Sequence, residues 1–188
     1  MSAPPRAGDP GHAPGPTVMV WDILVRVFPW SFAASFAGAW LTAESERFRD
    51  VHVMLGYTML GLIALRLLWG FVGPANARFA TFMKGPAAAL RYLRSLLGPR
   101  PERHLGHNPA GAIAIVLLLA LGLATIAAGW ATYNDLGGDW LEESHEFLAM
   151  LAVVGTHIAA VVLSSWLHGE NLVKAMLTGR KKVPGREP

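Results

Sequence analysis

Residues 142–168 read EESHEFLAMLAVVGTHIAAVVLSSWLH. An acidic cluster leads into an apolar run, and two histidines, His145 and His157, lie within the stretch. About 20 mostly apolar residues cross the ~30 Å hydrocarbon core of a bilayer as a helix. Ionisable groups inside such a span are costly and mark function by default. Twelve residues separate the two imidazoles, which is about 18 Å along a helix and about 120° around it. They belong to two depths. That spacing suits two levels of a bundle better than two ligands on one metal.

The rest of the chain has the same character. Of its 188 residues 53% are hydrophobic and only 15% charged, and the charges are segregated, leaving long uncharged runs that read as further membrane spans. No cysteine is present, which excludes covalent c-type haem attachment, thiolate-held iron–sulfur clusters and disulfides. The net charge of +3 does not point to nucleic acid, because the basic residues flank the apolar runs, where membrane topology puts them.

Four spans are expected, with the lipid bilayer as their solvent. The first covers 24–42, approached through Asp22 and Arg26 and interrupted early by Pro29; the second, 51–72, carries one charge, Arg66. The third, 110–133, has none, and the run quoted above is the fourth. Residues 1–18 are rich in Pro, Gly and Ala and are expected to form a disordered tail. Residues 19–178 form the four-helix domain, and 179–188 a basic tail. In the connector after span two, Gly85-Pro86 opens a segment with Leu90, Leu93, Leu96 and Leu97 on one side and Arg91 and Arg94 on another. That pattern predicts a short amphipathic helix lying on the membrane surface.

Orientation follows from Lys and Arg in the flanks. The connector has six, from Arg78 to Arg103, and the C-terminal flank five, whereas the loop between spans three and four has five acids and no base. Both termini are therefore expected in the cytoplasm. The fold class predicted is an all-α integral membrane protein, a four-transmembrane-helix bundle.

Topology turns positions into depths. His52 lies two residues past Asp50 at the outer start of span two, and His145 two residues past Glu143 at the outer start of span four. Two imidazoles at equal depth on two helices can ligate one haem iron from both faces. A lone histidine at a helix end is more often an interfacial polar residue; the match in depth is what argues for ligands. His157 lies fifteen residues below Glu142, about 22 Å deeper. Its depth partner on span one is Pro29, which offers no ligand. Gly56 and Gly61, below His52, and Gly155, beside His157, allow close approach by a helix or a flat porphyrin. Arg66 either snorkels to the near interface or faces the bundle interior, where with Gly56 it would contact a cofactor. His104, His107 and His168 are expected at the surface, and His12 carries no signal.

The segments VWDILVRVFPW, DVHVMLGY, LRLLWGFVGP, GHNPAG, ESHE, THIAAVVLSSWLHGENLV and KAMLTGRKK occur in this order from Val20 to Lys182. Together they resemble the prokaryotic cytochrome b561 family, in particular the branch akin to the b-type cytochrome subunit of nickel–iron hydrogenases. The resemblance implies a four-span protein of the bacterial inner membrane, two b haems held by four histidines, and a place in respiratory electron transport. It assigns ligand roles to His52, His145 and His157. The fourth family motif, Phe-His-Trp, reads Phe28-Pro29-Trp30 here. One haem b is therefore expected at the outer level. At the inner level the haem is expected to be lost or five-coordinate, with a replacement ligand as the remaining option.

The function expected is electron transfer between a quinone or membrane partner and a periplasmic redox protein such as a c-type cytochrome. Bis-imidazole ligation leaves iron no open position, which favours electron transfer over catalysis. Asp135, Asp139, Glu142, Glu143 and Glu146 would steer a basic partner. The alternative is a structural or assembly subunit of a larger complex with partial or complete loss of haem. A proton-conducting bundle built on His157 and Arg66 lacks a second intramembrane carboxylate for a relay.

Overall fold

The structure, a computed structural model, describes residues 17–96, 98, 102, 104, 106–136, 148–168 and 171–182. Of these, residues 17, 148–153, 160, 164, 167–168 and 182 are described by their backbone alone. In chain order come strand β1 (Thr17–Met19), helix α1 (Ile23–Thr42), a 3-10 turn (Glu46–Phe48) and α2 (Arg49–Val72). Then follow α3 (Phe79–Phe82), α4 (Pro86–Leu96), α5 (Pro109–Tyr133), α6 (Leu148–His168), α7 (Leu172–Thr178) and strand β2 (Arg180–Lys182). Helix α1 packs on α2, α2 on α5 and α5 on α6, with α4 against α5.

Three of these helices, α1, α2 and α5, are long and apolar enough to cross a membrane. Only 17% of the most apolar window of each is buried inside the protein. A water-soluble bundle turns its apolar stripe inward; here most of the apolar surface faces outward, as it does where lipid is the solvent. Trp40, Trp130 and Tyr133 lie exposed towards one end of the bundle and Trp166 towards the other, the positions of interfacial aromatic belts. In α6 the apolar stretch described is Val154–Leu163. The acidic cluster that leads into that span, with His145, lies within 137–147, outside the described residues.

Side chains fix where the helices start. Asp22 caps α1 by accepting from the Leu24 and Val25 amides at 2.9 and 3.0 Å. Asn108 caps α5 by accepting from Gly111 N at 2.7 Å, with Pro109 in the first turn, where its missing N–H costs nothing. Pro29 does not interrupt α1 as the sequence suggested; the helix runs through it. Proline removes one ladder bond, to the carbonyl four residues back, and neighbouring helices hold such a segment helical inside a bundle.

The two chain ends meet. Thr17 pairs with Lys182, Val18 with Lys181 and Met19 with Arg180. The Val20 and Trp21 amides donate to Gly179 O at 2.8 and 3.2 Å, and the Arg26 guanidinium donates to the Met176 and Leu177 carbonyls at the end of α7. Thr17 and Val18 were assigned to a disordered tail, and 180–182 to a second tail, from composition. The pairing between them is long-range, and local composition carries no trace of it. Together they place β1, the start of α1, α7 and β2 at one end of the bundle.

The predicted amphipathic helix is α4. Ala88, Ala89 and Tyr92 are buried against the protein, while Leu90 and Leu93 are half-exposed. Its leucine face is free for lipid, as expected of a surface helix.

Candidate functional site

Among the described residues a cavity opens between the helices towards each end, outer and inner in the orientation expected from the sequence. The outer one measures about 820 Å³ and is lined by α1, α2 and α5, with His52, Gly56, Arg49, Trp40 and Tyr133 among its walls. Nδ1 of His52 lies 2.8 Å from the Ala39 carbonyl of α1, so Nδ1 carries the proton and donates. Metal-ligating histidines characteristically donate their second ring nitrogen in this way, which fixes the ring and raises its basicity. With the proton on Nδ1, Nε2 is the ring nitrogen that could coordinate a metal. A Cβ added at Gly56 meets nothing within 4 Å, so the glycine adds width to a wall one turn from His52. His145, the expected partner of His52, lies outside the described residues.

The inner cavity measures about 490 Å³, within the roughly 300–1,000 Å³ usual for small-molecule and cofactor sites. Phe28, Phe32, Ile115, Leu119 and Ile158 give it an apolar body. Pro29 and His157 both line it, as their matched depths predict. Its far end is polar and basic, formed by Trp21, Arg66, His104, His107, Asn108 and Lys181.

Arg66 faces the interior rather than snorkelling. It is 2% exposed, donates from Nη1 to Ala77 O at 3.3 Å and lies 4.8 Å from the centre of the Phe79 ring. Gly70 makes room for that ring: a Cβ there would sit 2.0 Å from Phe79 Cε2. Asp22, close enough to act on the Arg66 charge, also accepts from Trp69 Nε1 at 3.3 Å. A buried guanidinium needs such company, since an unpaired buried charge costs several kcal/mol.

His104 and His107, expected at the surface, instead face this cavity. His107 stacks on Trp21 at 4.8 Å between ring centres and packs on Phe82 at 4.7 Å. Its Nδ1 is shut off from solvent and has no hydrogen-bond partner among the described residues. Burial, reinforced by Arg66, Lys181 and His157, pushes its pKa down to about 4, so the ring is neutral at pH 7. His104 lies 3.6 Å from Glu102, and burial lowers its pKa as well. Trp21, Asp22, Trp69, His104 and His107 were all missed as site residues. The depth argument, applied only to histidines inside spans, does not reach His107, which lies two places before α5.

The matches to known proteins bear on what these cavities take. The family model described as prokaryotic cytochrome b561 matches residues 20–179. This chain belongs to the prokaryotic cytochrome b561 family. It is 22% identical to a protein named probable Ni/Fe-hydrogenase B-type cytochrome subunit from Rhizobium leguminosarum bv. viciae, over 91% of both chains. It is also 29% identical to aquaporin NIP1-3 of Oryza sativa subsp. japonica, over 89% of this chain but 52% of the aquaporin. No solved structure matches. Cytochrome b561 proteins are membrane proteins that transfer electrons through haem b. Both cavities of this cytochrome b561 chain suit that group. The outer one has an imidazole already held by a carbonyl. The inner one combines an apolar body with a basic end, matching a porphyrin and its two carboxylates.

Proposed function

We propose that this chain is a four-span cytochrome b that passes single electrons between a quinone or other membrane partner and a redox protein on the outer, periplasmic face. The observation that carries this reading is the His52 Nδ1 to Ala39 carbonyl bond beside the outer cavity. In the outer site His52 and His145 would hold the haem, which would supply a one-electron couple there. Helix α1 sets the orientation of the His52 ring through the Ala39 carbonyl, and Gly56 leaves space for a flat face. Two imidazoles there would leave no position open for substrate, which favours electron transfer. Even span number and cytoplasmic termini are supported by the pairing of β1 with β2, which brings both chain ends to one side, and by the Lys and Arg in the flanks there. Redox-protein partners are in keeping with the name of the Rhizobium relative.

The test is a reduced-minus-oxidised optical spectrum with a haem-to-protein ratio. The purified chain should show low-spin b haem, and His52→Ala or His145→Ala should remove the outer haem while leaving the chain membrane-inserted. An unpigmented chain would instead establish the second reading, a structural or assembly subunit. That alternative draws on Pro29, which lines the inner cavity where the family motif has a ligand.

A further inference from the structure

We propose that the polar end of the inner cavity is an anion subsite, in which the Arg66 guanidinium is the counter-ion of a ligand with an apolar body and an acidic head. The propionate edge of a haem and the head group of an acidic lipid share that chemistry. The inference goes beyond the electron-transfer reading, which the outer site carries, and does not depend on which residue would ligate an iron.

The first observation is a buried cation that makes no ion pair. Arg66 is 2% exposed and lines the cavity. Among the described residues its guanidinium forms one hydrogen bond, from Nη1 to Ala77 O at 3.3 Å, and lies 4.8 Å from the centre of the Phe79 ring. No ion pair among the described residues includes it. Its other N–H groups form a planar fork that fits the two oxygens of one acid. Asp22 is close by, yet bonded elsewhere. Its Oδ1 accepts from the Leu24 and Val25 amides and from Trp69 Nε1 at 2.9, 3.0 and 3.3 Å. Its Oδ2 has no hydrogen-bond partner among the described residues, and Asp22 is not one of the cavity walls. Buried charges are normally paired, because an unpaired one is expensive.

The second observation is the chemistry of the walls. Trp21, His104, His107 and Lys181 line the cavity with Arg66, and none of its lining residues is an acid. Trp21 is 6% exposed, and its Nε1 donor has no hydrogen-bond partner among the described residues. Buried donors are normally satisfied. A neutral carbonyl would satisfy the indole but leave the guanidinium charge unanswered; a carboxylate or phosphate answers both. The third observation is the apolar body formed by Phe28, Phe32, Ile115, Leu119 and Ile158. A free inorganic anion would leave those walls unfilled. An amphiphile with its acid at one end fills the cavity and pairs the charge.

The experiment uses the full chain purified in detergent. Haem is counted by pyridine haemochrome, and acidic lipid by mass spectrometry of an organic extract. The unsubstituted chain is compared with Arg66→Gln, Arg66→Lys, Trp21→Phe and Arg91→Gln, the last an exposed position outside the cavity. A haem that survives His52→Ala but is lost in Arg66→Gln identifies propionates. A stoichiometric acidic lipid that survives detergent exchange but is lost in Arg66→Gln identifies a lipid head group. With either ligand, Arg66→Lys should keep part of it and Arg91→Gln all of it. Trp21→Phe keeps an aromatic ring beside His107 and removes the N–H, so it should release the ligand about tenfold faster. A chain that holds neither ligand overturns the subsite. So does a ligand retained unchanged in Arg66→Gln or, where that variant does not fold, in Trp21→Phe. Bound lipid without any haem would leave the subsite standing and overturn the electron-transfer reading.

Discussion

His52, His107 and His157 are three imidazoles that the sequence writes with one letter, and their surroundings give them different chemistry. His52 has its proton fixed by a carbonyl of the neighbouring helix. His107 is held by aromatic faces and has a buried nitrogen without a hydrogen-bond partner among the described residues. A fourth, His104, shows what the basic end of the inner cavity does to a titrating group. Burial, the largest influence, lowers its pKa; Glu102 pulls the other way, and Lys84 and Lys181 lower it further. The folded chain therefore resists a proton that the unfolded chain accepts near pH 6.5. Stability is present in full above that pH and is lost as pH falls through the lowered value of the folded state. A melting series from pH 8 to 5 should show the decline, and His104→Gln should flatten it. An unchanged slope in the variant would remove His104 as its source. His52 was legible because its depth matched that of His145. His107 was not, because a connector rich in Arg and Lys reads as solvent-facing until the fold closes over it.

At the scale of elements, the spans were legible to within one or two residues at most ends, since each is set by a long uncharged run and the first and third begin at a capping side chain, Asp22 or Asn108. The latch at the inner end was not. Gly179 ends α7 with φ of 75° and presents its carbonyl to the Val20 and Trp21 amides. A Cβ there would lie 2.9 Å from Trp21 O and 3.0 Å from Met19 Sδ. Left-handed backbone alone costs a side-chain-bearing residue about 1–2 kcal/mol, and the clash adds to it. Gly179→Ala should lower the melting temperature by several degrees and loosen the inner cavity, which Trp21 and Lys181 help to wall. Gly61→Ala, where a Cβ meets nothing within 4 Å, is the control and should change little. Equal melting of both variants would show that the latch contributes no stability.

For the whole molecule, charge is divided between the two ends. The connector after α2 and the stretch from Lys174 onward carry most of the Lys and Arg, and the stretch after α5 holds five acids from Asp135 to Glu146. A surface of one sign accelerates encounter with a partner of the other, and salt screens it within about 10 Å at 0.1 M. Right-side-out membrane vesicles should therefore exchange electrons with an added basic c-type cytochrome faster at low salt than at high salt, and inverted vesicles should not. Asp139→Asn together with Glu142→Gln and Glu143→Gln should abolish the salt dependence. Equal rates from both vesicle orientations would refute the topology, and a rate indifferent to salt would refute the docking role.

The run at 142–168 and its three apolar counterparts determined by themselves that this is a membrane bundle. Bilayer thickness and the cost of burying charge leave a chain of such composition no other stable form. They also set His157 and Pro29 at matching depths, and both line one cavity. Only the tertiary structure decided what else lines that cavity. That depended on the loop before α5 folding beneath the bundle, on Trp21 and Phe82 gripping the His107 ring, and on β1 meeting β2 to close the end. Those contacts join residues far apart in the chain, and no local pattern of hydropathy or spacing encodes them.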